Sequence, residues 1–199
     1  KRIFFFWSIK KYLIAIKNLR IDRKKFTVYN IYVLIQRKKD VEMEKKRVCW
    51  NITTKCNQNC KYCHRFLGIK DLSYEENKEI LNNLIKDGVN NITWTGGEAL
   101  LYPNLKSLLE ISKENGIKNK LITNGMVLAQ NENMREILDY LDSLTLSLDT
   151  INDNTNEELG RGRNHFGDVK TILDYVKDKD LKVNINTVVS RKNINEMEE

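Results

Sequence analysis

No run of about 20 consecutive apolar residues occurs in this 199-residue chain, which excludes an ordinary transmembrane helix. No small-residue cleavage site follows the apolar N-terminal stretch, so no secretory leader is indicated. Residues 1–42 contain neither glycine nor proline, and so lack the usual turn punctuation. Nor is there a second pair of closely spaced cysteines, which the common two-knuckle zinc sites require. Net charge is also scarce where it would matter. The formal charge of +7 comes from residues 1–42, which hold 12 Lys/Arg and 3 Asp/Glu. Residues 43–199 hold 22 Lys/Arg against 24 Asp/Glu, so nothing in their balance calls for a nucleic-acid partner.

Two readings of residues 1–42 follow. Phe5, Ile9, Tyr12, Ile16 and Leu19 form an imperfect apolar helical stripe beside Lys10, Lys11, Lys17 and Arg20, the pattern of a helix lying on a membrane surface. The favoured reading is a basic, apolar N-terminal extension outside the fold, upstream of a start at Met43. The chain opens on Lys1, which fits a fragment or a processed product.

From residue 43 onward, strand and helix patterns alternate. Val48–Thr53, Asn91–Thr95, Lys120–Thr123, Leu144–Leu148 and Leu181–Val189 read as strands. Ser73 and Glu76 form a capping box ahead of a helix that carries Ile80, Leu81, Leu84 and Ile85 and stops at Gly88. Further helices are expected from Pro103 to Asn115, from Asn133 to Leu141, and around Val169, Ile172, Leu173 and Val176. Such alternation predicts an α/β fold, a partial (β/α) barrel with a parallel sheet. About five of six strands are expected, with the catalytic domain truncated after Glu199. In such folds the active site lies at the C-terminal strand ends. Five polar or glycine segments sit there: the cysteine loop, Gly96-Gly97-Glu98, Thr123-Asn124-Gly125, Ser147 and Asp149.

Of the four cysteines, Cys56, Cys60 and Cys63 lie within eight residues, as C-x3-C-x2-C. Such clustering points to metal binding in a reducing, cytoplasmic compartment. Three thiolates at this spacing can wrap three corners of a [4Fe–4S] cluster and leave one iron open. Cys49 lies seven residues earlier along a strand, on the order of 20 Å away, and reads as a core residue rather than a fourth ligand. Zinc held by the three cysteines and His64 remains the alternative. Trp50, Trp94 and His165 read as structural.

With Tyr62 as the aromatic, the loop resembles the C-x3-C-x-aromatic-C signature of the radical S-adenosylmethionine (radical SAM) superfamily, and Gly96-Gly97-Glu98 resembles its GGE motif. The resemblance spans about residues 46–199 and implies a [4Fe–4S] cluster on Cys56, Cys60 and Cys63 with S-adenosylmethionine on the open iron. It implies that Gly96, Gly97 and Glu98 hold the methionine amino group, that Tyr62 lies near the adenine, and that Ser147 and Asn186 touch ribose or carboxylate. Thr123, Asn124 and Arg161 are further cofactor candidates. A one-electron donor such as flavodoxin or ferredoxin would reduce the cluster, and a 5′-deoxyadenosyl radical would take hydrogen from a small-molecule or peptide substrate. Ser147-Leu148-Asp149, Leu159-Gly160-Arg161-Gly162 and Asn184 to Val189 resemble both the viperin-like nucleotide dehydratases and the molybdenum cofactor biosynthesis protein A group. Asn184 stands where the dehydratases often carry Lys, and His64 directly follows the third cysteine where they tend to have Phe-His. A non-catalytic iron–sulfur or zinc module, or an inactive truncated remnant, are the competing readings.

Overall fold

The computed structural model describes residues 31–35, 46–64 and 70–196. Six strands form one sheet in the order β1 (Ile31–Ile35), β2 (Lys46–Asn51), β3 (Val89–Thr95), β4 (Lys118–Thr123), β5 (Ser143–Ser147) and β6 (Lys182–Asn186). Strands β2 to β6 are parallel. The expected α/β sheet is therefore present, as an open partial barrel. Strand β1 adds an antiparallel edge that the sequence patterns did not indicate, pairing Ile31 with Trp50 and Ile35 with Lys46. It falls within the segment expected to lie outside the fold. The stripe from Phe5 to Leu19 lies outside the described residues.

The helices are α1 (Tyr74–Lys86), α2 (Leu105–Glu114), α3 (Met126–Gln130), α4 (Asp153–Leu159) and α5 (His165–Val176), with a 3₁₀ segment at Glu132–Tyr140. Helix α1 has the expected capping box. Ser73 Oγ accepts from the Glu76 N–H at 3.3 Å, and Glu76 Oε2 accepts from the Ser73 N–H at 2.8 Å. The segment expected as a helix over Asn133–Leu141 is the 3₁₀ segment, preceded by the short α3. Helix α4 was not expected, although Asn152 caps its start and left-handed Gly160 ends it. No helix among the described residues is long and apolar enough to cross a membrane.

Strand alternation sorts the sheet into two faces. Val48, Trp50, Ile92, Trp94, Leu121, Leu144 and Leu146 point into a largely apolar core that contains Leu81, Leu84, Leu105, Leu108 and Ile172 from the helices. The rings of Trp50 and Trp94 stack at 5.1 Å between centroids with an interplanar angle of 19°. Asn119, fully buried on the same face, ties β4 to its neighbours. Its Oδ1 accepts from Trp94 Nε1 at 2.9 Å and Ser112 Oγ at 2.8 Å. Its Nδ2 donates to the carbonyls of Leu109 at 2.9 Å and Tyr140 at 3.0 Å. The opposite face, with Arg47, Asn91, Thr93, Lys118, Lys120, Ser143, Thr145, Lys182 and Asn184, borders a cavity of about 670 Å³.

Asn119→Leu keeps the volume but strands four buried polar groups, each costing about 1–3 kcal/mol when unpaired. We expect urea unfolding to show a loss of at least about 3 kcal/mol, as a lower midpoint with unchanged slope. A loss below about 1 kcal/mol would show that Asn119 is not the tie described.

Candidate active site

Because β2 to β6 run in parallel, the segments that leave their C-terminal ends meet at one mouth. The cysteine loop leaves β2 at residue 52 and is stapled to the segment that leaves β3. The Ile52 N–H donates to the Thr95 carbonyl at 2.9 Å, Gly97 N–H to Thr53 at 2.8 Å and Glu98 N–H to Lys55 at 2.7 Å. A Cβ on Gly97 would lie 2.2 Å from the Lys55 oxygen, and one on Gly96 would lie 2.5 Å from the Thr53 oxygen. Only glycine allows that approach. On the far side of the loop, the Asn59 N–H donates to the Gly160 carbonyl at 3.1 Å and Lys61 N–H to Leu159 at 2.9 Å. Gly160 has φ +83°, and a Cβ there would sit 2.2 Å from the Asn59 oxygen. The loop is thus clamped between two glycine-bearing segments.

Glu98 turns its carboxylate to the end of β4. It is 2 % exposed, and its carboxylate accepts from Thr123 Oγ1 at 2.8 Å, the Asn124 N–H at 2.8 Å and the Leu100 N–H at 3.2 Å. Burial pushes its pKa above the usual carboxylate value despite those donors. Glu98 and Thr123 therefore join the end of β3 to the end of β4. Asn124 reaches the cysteine loop, its Nδ2 donating to Asn57 Oδ1 at 2.7 Å.

A second polar cluster connects the loop to β5 and β6. Arg161 Nε donates to Asp149 Oδ2 at 2.8 Å, both side chains being almost fully buried. The Tyr62 hydroxyl donates to the same oxygen, and the Val188 N–H donates to Asp149 Oδ1 at 2.9 Å. Burial alone would raise the Asp149 carboxyl, but these donors outweigh it and hold its pKa below the usual value. Burial, and then the bond to Asp149, push the Tyr62 phenol far above its ordinary value. The Arg161 guanidinium lies 5.6 Å from the centre of the Tyr62 ring.

Gln58, one of the variable positions between the cysteines, is fixed by its partners. Its Oε1 accepts from Arg161 Nη1 at 3.2 Å, while its Nε2 donates to the Arg161 carbonyl at 2.8 Å. His165 is fixed as well. Nε2 faces the Ser147 carbonyl at 2.7 Å and must carry the proton, so Nδ1 accepts from Gln58 Nε2 at 3.1 Å. Burial lowers the His165 pKa and keeps the ring neutral. Neither Gln58 nor Asn57 was singled out by the sequence patterns. His165, expected to be structural, is an integral part of this cluster.

Cys56 and Cys63 lie within electrostatic reach of Cys60, and three thiolates are the donor type that iron–sulfur clusters take. Burial raises the Cys60 thiol most, and the charges of Cys56 and Cys63 reach it as well. Cys60 and Cys56 are half-buried, and Cys63 is exposed. Cys49 is half-buried on β2, paired across to Tyr32 and Thr93, on the strand and not in the loop. Among the described residues no three His, Cys, Asp or Glu side chains converge on a single-ion site. Ser147 and Asn186 lie side by side in register at the ends of β5 and β6. Ser147 is half-buried and Asn186 exposed.

The sequence matches the radical SAM superfamily over residues 50–199. It is 32% identical over 157 residues to an S-adenosylmethionine-dependent nucleotide dehydratase of Flammeovirga pacifica, covering 71% of this chain and 52% of that protein. It is 31% identical over 149 residues to a GTP 3′,8-cyclase of Aquifex aeolicus, covering 70% of this chain and 46% of that one. The chain thus spans about half the length of these curated relatives. Among solved structures, Streptococcus suis SuiB bound to S-adenosylmethionine is similar at a TM-score of 0.58 and 27% identity, over 74% of this chain and 34% of that one. The family's members use a [4Fe–4S] cluster and S-adenosylmethionine. A family match that takes in the cysteine loop and both of the segments clamping it makes this chain a member of the radical SAM superfamily.

Proposed function

We propose that this chain is the core of a cytoplasmic radical SAM enzyme whose substrate is a phosphate-bearing small molecule, a nucleotide in the first instance. The observation that carries the substrate class is the cavity on the open face of the sheet, on the N-terminal side of the mouth. Arg47, Lys118, Lys120 and Lys182 border it, and among the described residues none of the four is ion-paired to a carboxylate. Lys120 is aligned with Ser143, and Ser143 with Lys182, so two ammonium groups flank a hydroxyl across three strands. Among the described residues Asp142 is the one carboxylate at the border, and it already accepts from the Asn119 N–H at 2.8 Å. Converging cations with few counter-charges suit a polyanion. A cavity of about 670 Å³ has the size of a nucleotide site. The names of the dehydratase and cyclase relatives point the same way. Asn184 in place of a dehydratase-type Lys is offset by Lys182, which alternation puts on the same face.

Cys56, Cys60 and Cys63 would hold the [4Fe–4S] cluster. When bound, the cluster and S-adenosylmethionine supply one-electron cleavage of the sulfonium and a radical able to remove a substrate hydrogen atom. The protein's own residues bind and orient. With the Glu98 carboxylate turned inward, the Gly96–Glu98 segment would meet the methionine amino group through its backbone. Ser147 and Asn186 would receive polar groups of the cofactor at the mouth. Tyr62, its hydroxyl tied to Asp149 and one ring face near Arg161, would offer the adenine its other face. Exposed Cys63 marks the side from which a donor such as flavodoxin or ferredoxin would deliver the electron.

Anaerobic reconstitution should load about four irons per cluster. Adding S-adenosylmethionine should change the cluster's electron paramagnetic resonance spectrum, and dithionite should then yield 5′-deoxyadenosine. Serine at position 56, 60 or 63 should abolish both responses, whereas Cys49→Ser should keep them. A cluster blind to S-adenosylmethionine would favour a plain electron-transfer module, and stoichiometric zinc would favour a zinc module. For the substrate, equilibrium dialysis with ribonucleoside triphosphates and inorganic triphosphate should show salt-sensitive binding. Lys120→Gln or Lys182→Gln should weaken it about tenfold each, the loss of one charge-assisted contact. Equal binding by these variants would remove the cavity from the substrate site.

A further inference from the structure

Arg161 and Asp149 form a buried ion pair, and two buried charges are costly to desolvate. Its placement offers a reason for it. Gln58 Oε1 accepts from Arg161 Nη1 at 3.2 Å and lies 3.7 Å from the Cys60 sulfur. The guanidinium therefore stands one side chain away from a cluster ligand. Asp149 holds Arg161 from the opposite side, and is itself anchored by Tyr62 and by the Val188 N–H. His165 and the Arg161 carbonyl hold Gln58 in place.

We propose that Arg161 is a positioning residue for the iron–sulfur cluster that sets its reduction potential, a buried cation held beside Cys60 by Gln58 and Asp149. This rests on the cluster reading of the cysteine loop. Reduction adds one electron, from an external one-electron donor, and no proton, so the cluster becomes more negative by one charge. A fixed cation nearby favours that state and raises the potential, because cluster potentials follow local charge, hydrogen bonding and solvent exposure. Asp149 opposes part of this field while keeping the cation in place. The two halves of one ion pair thus pull the potential in opposite directions.

The test is a redox titration of the reconstituted full chain, followed by electron paramagnetic resonance, on the wild type and on Arg161→Gln, Arg161→Lys and Asp149→Asn. Arg161→Gln should move the midpoint to a more negative potential. Arg161→Lys, which keeps the charge, should lie nearer the wild type. Asp149→Asn should move it to a more positive one. A residue that merely braces the loop would shift Arg161→Gln and Asp149→Asn in the same direction, and that result overturns the proposal, as does an unchanged midpoint in Arg161→Gln. Should Arg161→Gln fail to hold a cluster, the sign of the Asp149→Asn shift decides: positive supports the proposal, and zero or negative overturns it. A wild-type chain that assembles no cluster would instead overturn the cofactor reading beneath it.

Discussion

Everything at the mouth of this sheet depends on two main chains approaching more closely than any side chain would permit. The cysteine loop and the Gly96-Gly97 segment share three backbone hydrogen bonds, and a single methyl group on Gly97 would collide with the Lys55 oxygen. That contact fixes where the loop leaves β2, and so where its thiols stand relative to β3. Gly160 repeats the device on the other side, bringing the start of the Arg161 segment against Asn59. With the loop held from both flanks, the cysteines gain a defined position without being buried in apolar surroundings.

Polar burial completes the frame. Glu98, Thr123 and Asn124 join the ends of β3 and β4. Asp149, Arg161, Gln58 and His165 join the loop to β5, and the bond from the Val188 N–H to Asp149 carries the connection to the segment after β6. Each carboxylate is satisfied by several donors, as a buried carboxylate must be. Among the described residues the frame leaves no strand end from β2 to β6 unlinked to the cysteine loop, directly or through one intermediate segment. The apolar core beneath it supplies the stiffness, since the helices and the inner face of the sheet interlock through Trp94, Asn119 and Ser112.

Much of this was legible in the sequence, for identifiable reasons. Alternation of strand and helix, the Ser73–Glu76 capping box and the glycines that end helices are local signals, and the structure carries them. The convergence of five segments at one mouth followed from parallel order alone. What could not be read was which polar residues face inward. A motif carries Glu98, but nothing local to it shows that its carboxylate joins the ends of β3 and β4. Gln58 occupies a variable position of the cysteine motif, and only three-dimensional proximity to Arg161, 103 residues away in sequence, gives it a role. The basic cavity was hidden for a similar reason. Lys118 and Lys120 lie more than 60 residues before Lys182, and the two strands share a face only once β4, β5 and β6 are in register.

The stacked Trp50–Trp94 pair has an optical consequence. Two indoles at 5.1 Å and nearly parallel are close enough for their transition dipoles to couple, so their circular dichroism is not that of two independent chromophores. Both rings are fully buried, and they sit on β2 and β3, the strands from which the cysteine loop and the Gly96-Gly97 segment emerge. Their exciton signal is therefore a native spectroscopic gauge of the register on which the mouth is built.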